Sequence, residues 1–417
     1  LFTFNRSILF DAGFFEKVCK FKPFDAQMAY RKWRADALFT GSGLLNQDQV
    51  LITEKEHVEA IVNLQDAGPD IEFLPGLICP GFVNCHCHIE LSHMRGLIPE
   101  RTGLVDFLIT VISRRRAKPE FILEMAAAAE QEMYRNGIVA VGDICNNLDS
   151  FPIKAKSKMI FHHFIETMGI MPQIAEERYQ ASVKIRETVI SEGFSPAERV
   201  SIVPHAPYSV SRDLFEKIAL DPDNHLLSIH NQEDAEENRF FLHGDGEFQR
   251  LYRVLGIEPS NFNPTGKRSL ESYMPYFRSE QHMLLVHNVD TRKEDLEKNK
   301  REKLYFCLCP NANLHISGRL PDIPLLMEEG VRLVVGTDSL ASNQQLSILE
   351  ELKTLQAYYP QIETSLLLGW ACLNGSKALG MEELTGSFEK GKKPGVLHIN
   401  NLRDGKFSRE SSVKRLV

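Results

Sequence analysis

Eight short runs of β-branched and aromatic residues recur along this chain, most of them separated by segments of helical period: residues 77–86, 138–143, 159–165, 200–205, 225–230, 282–287, 304–309 and 331–337. Alternation of this kind builds a parallel sheet, because a strand can reach a parallel neighbour only through a crossover. Eight units predict an α/β chain folded as a (β/α)8 TIM barrel, which needs roughly 250–300 residues. The 417 residues therefore leave room for a satellite domain.

The punctuation between the runs agrees. An Ala-rich helix is expected over 121–136, stopped by Gly137. Thr291 followed by Glu294 reads as a capping box, and 325–329, 346–359 and 364–379 read as further helices, with Gly330 and Gly380 as stops. Residues 231–281 form a connection far longer than a usual βα loop and read as a lid or a substrate-facing insertion.

Outside the eight runs, strand-like segments at 37–39, 49–53 and 57–62 and turn-and-strand character over 386–400 predict a small β-sandwich domain assembled from both ends of the sequence. The expected layout is residues 28–74 with 386–417 for that domain, 75–385 for the barrel, and an extension over 1–27 that fits no element, with Met28 as an alternative start.

Charge and composition narrow the function classes. A formal net charge of −8 argues against a nucleic-acid surface, and the Arg114-Arg115-Arg116 run reads as the solvated end of a helix. No uninterrupted apolar stretch is long enough for a membrane span, and residues 1–27 lack the pattern of a secretory signal. The eight cysteines lie in apolar runs or beside candidate ligands, not in a disulfide framework, so a cytoplasmic setting is expected.

Active sites on this fold gather at the C-terminal ends of the strands, which permits a test. The first run ends His86-Cys87-His88, the third at Glu166, the fourth at His205, the fifth at His230 with Glu233 just beyond, the sixth at His287, and the eighth at Asp338. His86 and His88, two apart on extended chain, project from one face and can converge on one cation. His230 and Asp338 would complete a set of three imidazoles and one carboxylate, suited to zinc or iron and to activating a water. Cys85 and Cys87 alternate with the pair and should pack away from it. Cys307 and Cys309 have the wrong spacing for a zinc ribbon and read as strand core.

These residues resemble the amidohydrolase superfamily, and specifically its chlorohydrolase/deaminase branch. The resemblance rests on Pro80-Gly81-Phe82-Val83-Asn84-Cys85-His86-Cys87-His88, on Pro204-His205-Ala206-Pro207-Tyr208-Ser209, and on Ser228-Ile229-His230-Asn231-Gln232-Glu233 with Glu236-Glu237. Leu285-Val286-His287, Cys309-Pro310-Asn311-Ala312-Asn313 and Gly336-Thr337-Asp338 extend it from about residue 37 to 400. It implies one divalent metal, zinc with iron as the alternative, held by His86, His88, His230 and Asp338. It further implies His287 beside the water, Asp338 as proton acceptor, Glu233 as proton shuttle to the ring nitrogen and the departing ammonia, and His205 in contact with substrate. Members of the branch are often homodimers.

The expected activity is hydrolytic deamination of an amino-substituted heterocycle, a small-molecule substrate. The fourth run carries no lysine that could bridge two metals, which argues against the amide and phosphoester chemistry of two-metal members. Lys392-Lys393-Pro394-Gly395 and Ala312 depart from the usual motifs. Glu90-Leu91-Ser92 is similar to aminofutalosine deaminases, with Glu90, Arg95 and Glu166 as candidate substrate contacts. Adenosylhomocysteine, guanine and other aminopurine or pterin substrates stay open, and the alternative activity is hydrolysis of another leaving group, as in a chlorohydrolase or cyclic amidase.

Overall fold

Trp33 lies at the centre of the first layer, fully buried, its indole donating to Thr53 Oγ1 at 3.2 Å. In the computed structural model, which describes residues 30–417, Trp33 sits on β1 (Tyr30–Phe39), followed by β2 (Leu44–Asn46), β3 (Gln49–Glu54), β4 (His57–Asn63) and β5 (Ile71–Cys79). The 1–27 extension and Met28 lie outside the described residues. Two strands from the far end of the sequence join this sheet: β14 (Leu397–Asn400) pairs antiparallel with β5, and β15 (Ser412–Arg415) with β14. All seven strands belong to one hydrogen-bonded sheet, in the order β15-β14-β5-β1-β3-β4, with β2 on β1. Leu38, Leu51, Ile78 and Val396 close a core around Trp33.

The eight expected runs all form parallel strands, most with ends shifted by one or two residues and the first divided in two. The run at 77–86 is two elements: its first residues finish β5, and the chain turns at Pro80-Gly81 before β6 (Phe82–Cys87). Proline supplies no ladder donor and ends the first pairing. A Cβ on Gly81 would lie 2.2 Å from a Val139 methyl, so only glycine fits the turn. β6, β7 (Ile138–Cys145), β8 (Ile160–Thr167) and β9 (Val200–Pro204) form one four-stranded parallel sheet. β10 (Leu226–Asn231), β11 (His282–His287), β12 (Leu304–Leu308) and β13 (Arg332–Val335) form another.

The two sheets touch at both edges. At one, the His230 amide donates to the His205 carbonyl at 3.0 Å. At the other, the Asp338 amide donates to the His86 carbonyl at 3.0 Å, and Asn84 exchanges hydrogen bonds with Thr337. Gly336 allows that second approach, since a Cβ there would come within 2.9 Å of the His86 amide nitrogen and Cβ. One apolar core runs through both sheets and their flanking helices.

Two local expectations change. The connection over 231–281 is largely helical, with helices Ala235–His243, Phe248–Val254 and Ser269–Tyr273, and it packs Phe240, Phe248 and Tyr252 into a second core with Met94, Phe107 and Tyr208. The capping box before Lys293–Lys298 uses the Arg292 amide and Asp295. Thr291 cannot serve, because its hydroxyl donates to Gln232 Oε1 at 2.7 Å.

Candidate metal centre and active site

Because all eight strands are parallel, their C-terminal ends share one side of the molecule, and the polar residues that end them converge. His86, His88, His230 and Asp338 each bring a ligand atom within 4.8 Å of the others, and all four are buried. His86 Nε2 is 3.1 Å from His88 Nε2, and Asp338 Oδ1 is 3.5 Å from each. Donors about 2.1 Å from one ion in a tetrahedron stand about 3.3 Å apart, so these spacings match ligands facing a common cation.

The supporting contacts fix which atom is free in two of the candidate ligands, His230 and Asp338. His230 Nδ1 donates to the His205 carbonyl at 2.7 Å, which leaves Nε2 for the metal. Ser342 Oγ donates to Asp338 Oδ2, leaving Oδ1 toward the imidazoles. Burial would raise the Asp338 carboxyl, but its contacts with His86, His88 and His287 outweigh that and hold it well below the usual range. Burial and the neighbouring imidazoles lower His88 and His230, keeping them neutral as ligands must be. Cys87 Sγ packs on Met133 at 4.0 Å, away from the histidine pair as expected.

Glu233 and His287 face each other beside this cluster, His287 Nε2 3.5 Å from Glu233 Oε1. Asn313 Oδ1 accepts from His287 Nδ1 at 2.8 Å, and His287 Nε2 has no hydrogen-bond partner. Burial, then the Asp338 charge, pushes the Glu233 carboxyl well above the ordinary carboxylate range. Glu237 holds the turn that presents it, accepting from the Gln232 amide at 3.0 Å and the Glu233 amide at 3.4 Å. Gln232, His287 and Asp338 all have positive φ, of 46°, 75° and 55°. Non-glycine residues in that region mark backbone held in place by its surroundings.

The candidate substrate residues separate. Glu166 Oε2 accepts from Asn146 at 2.9 Å while its buried Oε1 is unpartnered, 3.8 Å from His230 Nδ1. His205 donates or accepts through Nδ1 with Ser209 Oγ at 2.8 Å, and its ring lies 4.8 Å from that of His230. Burial lowers His205 to about 3, so it is neutral. Glu90 is engaged on both oxygens, by Arg115 at 3.1 Å and by the Asn146 amide at 2.9 Å. It thus links to Glu166 through Asn146. Arg95 stands apart from this group, half-exposed and paired with Glu132 at 2.5 Å.

Sequence reasoning missed several of the supporting residues. Within the arginine run, Arg114 and Arg116 are exposed as expected, but Arg115 turns inward to Glu90 and Asn146. Asn313, Ser342 and Glu237 were unassigned. Asn313 and Glu237 stood inside quoted motifs, whereas Ser342 carried no sequence signal beyond lying four residues after Asp338.

Comparison with known proteins agrees with this geometry. The amidohydrolase family matches residues 77–399. A 5-methylthioadenosine/S-adenosylhomocysteine deaminase from Teredinibacter turnerae is 26% identical over 85% of this chain and 80% of its own length. An adenosine deaminase from Helicobacter pylori is 28% identical over 83% of each. Among solved structures, Helicobacter pylori aminofutalosine deaminase in complex with methylthio-coformycin superposes with a TM-score of 0.76 at 22% identity, covering 93% of this chain and all of that one.

Proposed function

The chain belongs to the amidohydrolase family, and from that premise we propose that it hydrolytically removes the amino group of an aminopurine nucleoside, releasing ammonia. The observation that carries the reading is that His287 Nε2, free of hydrogen-bond partners, faces the buried Glu233 carboxyl beside a three-imidazole, one-carboxylate cluster. Deamination needs a nucleophile, a proton for the ring nitrogen and a proton for the leaving amine. The named activities of the sequence relatives support the substrate class.

His86, His88, His230 and Asp338 would hold one divalent ion, which we read as zinc from the donor set, and it would supply Lewis acidity and a water acidic near neutral pH. The remaining work belongs to the side chains. Asp338, kept ionised, accepts the proton that the water gives up. Glu233 delivers its proton to the ring nitrogen and then carries one to the departing ammonia. His287 is held by Asn313 with Nε2 toward the reacting carbon, and His205 contacts the bound base. Atoms balance as amine plus water to hydroxyl plus ammonia.

We also read the two parallel sheets as halves of one closed eight-stranded barrel, which the hydrogen bonds at both edges support. The seven-stranded sheet is then the small β domain expected over 28–74 with 386–417, carried on to Cys79 by β5 and bent toward a sandwich. The register shift in β1 between Ala35 and Ala37 supports that bend.

Metal-loaded protein given adenosine-type nucleosides, guanine and pterins should release ammonia from a nucleoside and yield a product about one mass unit heavier, NH2 having been exchanged for OH. No ammonia from any of them at full metal occupancy would overturn the reading.

A further inference from the structure

Two residues apart on β7, Asp143 and Cys145 project from one face of the strand, and His163, the register partner of Asp143 on β8, projects beside them. All three are buried, with a donor atom of each within 4.8 Å of the others. The short helix Phe151–Lys154 brings the buried Lys154 onto this group. The proposed deamination uses none of the four.

Lys154 Nζ donates to Asp143 Oδ2 at 2.8 Å and to Cys145 Sγ at 3.0 Å, and stands 3.9 Å from the centre of the Phe151 ring. The Cys145 thiol in turn donates to Asp143 Oδ2 at 3.3 Å. A nucleophilic sulfur, an amine and a carboxylate able to take a proton are thus packed together. An ammonium on the sulfur favours the thiolate, the form that peroxides oxidise. His163 Nδ1 has no hydrogen-bond partner, so this wall keeps one unsatisfied polar atom that a small hydroxylic molecule would satisfy. The three donors could also face a soft cation, but the Lys154 ammonium already touches the oxygen and the sulfur and carries the positive charge.

We propose that Cys145 and Lys154 form a covalent modification site, at which hydrogen peroxide joins them through a sulfur–nitrogen bond. In the first step the sulfur attacks one peroxide oxygen. The S–O bond forms, the O–O bond breaks, and the thiol proton leaves with the other oxygen as water. Sulfur is oxidised to the sulfenic acid and the peroxide is reduced. In the second step Lys154 Nζ attacks the sulfur and the S–O bond breaks. The ammonium gives one proton to the departing hydroxyl, which leaves as water, and another to Asp143 Oδ2. The cluster begins with one cation and one anion and ends with neither, so no bare charge is left buried. Asp143 Oδ1 accepts from the Ile89 amide at 3.0 Å, directly after His88. A protonated Asp143 holds that amide less strongly, so the bridge loosens the segment carrying His86 and His88 and lowers metal affinity.

The test treats metal-loaded protein with hydrogen peroxide, alkylates the remaining thiols and maps tryptic peptides by mass. Trypsin needs a free lysine amine, so the expected product spans 136–156, uncut after Lys154 and about two mass units lighter than the unmodified peptide. A thiol reductant should restore it. Metal affinity should fall by about tenfold or more and recover on reduction. Cys145→Ser should form no bridge and keep its metal affinity under the same treatment, and wild type unfolded in urea should form none. Normal cleavage after Lys154, or a Cys145 carrying oxygen alone, would overturn the proposal. So would equal bridging in the unfolded chain, an equal loss of metal affinity in Cys145→Ser, or a second metal ion per chain that Cys145→Ser removes. The mass readout decides the bridge whether or not the protein deaminates a nucleoside.

Discussion

Ser342 donates a 2.5 Å hydrogen bond to Asp338 Oδ2, so that Oδ1 is the oxygen facing His86 and His88 at 3.5 Å. A serine four residues downstream thus decides which carboxylate oxygen would meet a cation held by the proposed ligands. Ser342→Ala should lower metal affinity or kcat/KM by about 10–100-fold, the usual scale for contacts that orient a ligand. Elemental analysis with steady-state kinetics checks it; an unchanged variant would show that the backbone alone orients Asp338.

In the proposed reaction Glu233 moves protons without coordinating metal; it lies outside the three-histidine, one-aspartate cluster. Glu233→Gln keeps the shape and removes the proton, and turnover should fall by about 10²–10⁴-fold with metal content intact. Turnover within a small factor of wild type would remove Glu233 from the reaction.

Glu237 makes stability pH-dependent. It is fully buried, and burial raises its carboxyl from 4.5 to about 8. Between those values the folded chain holds a proton that the unfolded chain has released. The contribution is therefore complete below about pH 4.5 and is lost as pH rises through about 8, by up to about 5 kcal/mol. Denaturation midpoints at about pH 5 and about pH 9 should converge in Glu237→Gln, which cannot titrate. An equal pH slope in wild type and variant would contradict this.

Lys154 and Asp143 form an ion pair at 2.8 Å with both side chains at 0% exposure, and Asp143 Oδ1 accepts from the Ile89 amide at 3.0 Å, directly after His88. Lys154→Met strands a buried carboxylate beside the ligand segment and should cost about 3–5 kcal/mol of stability. Adding Asp143→Asn should recover much of that loss. A double variant no more stable than the single would refute the coupling.

The strands and ligands were legible because parallel topology converts sequence order into position: a histidine or aspartate ending a β-rich run must lie at the shared face. Hydrogen bonds between distant segments were not legible. Thr291 reads as a cap until Gln232 is beside it, and Arg115 reads as a solvated cation until Glu90 and Asn146 surround it. Pro80-Gly81 carried a turn signal, but the pairing of the preceding residues with β1 and β14 in the small sheet rests on distant segments. Arg95 looked available for substrate, and its partner Glu132 comes from a helix 37 residues away.

The account stands on His86, His88, His230 and Asp338 sharing one cation. Elemental analysis of purified protein measures this directly, comparing wild type with a His86→Ala/His88→Ala variant shown to be folded by circular dichroism. One divalent ion per wild-type chain, lost from the variant together with ammonia release, is the expected result. Equal metal content in both proteins, or full activity without metal, would contradict it.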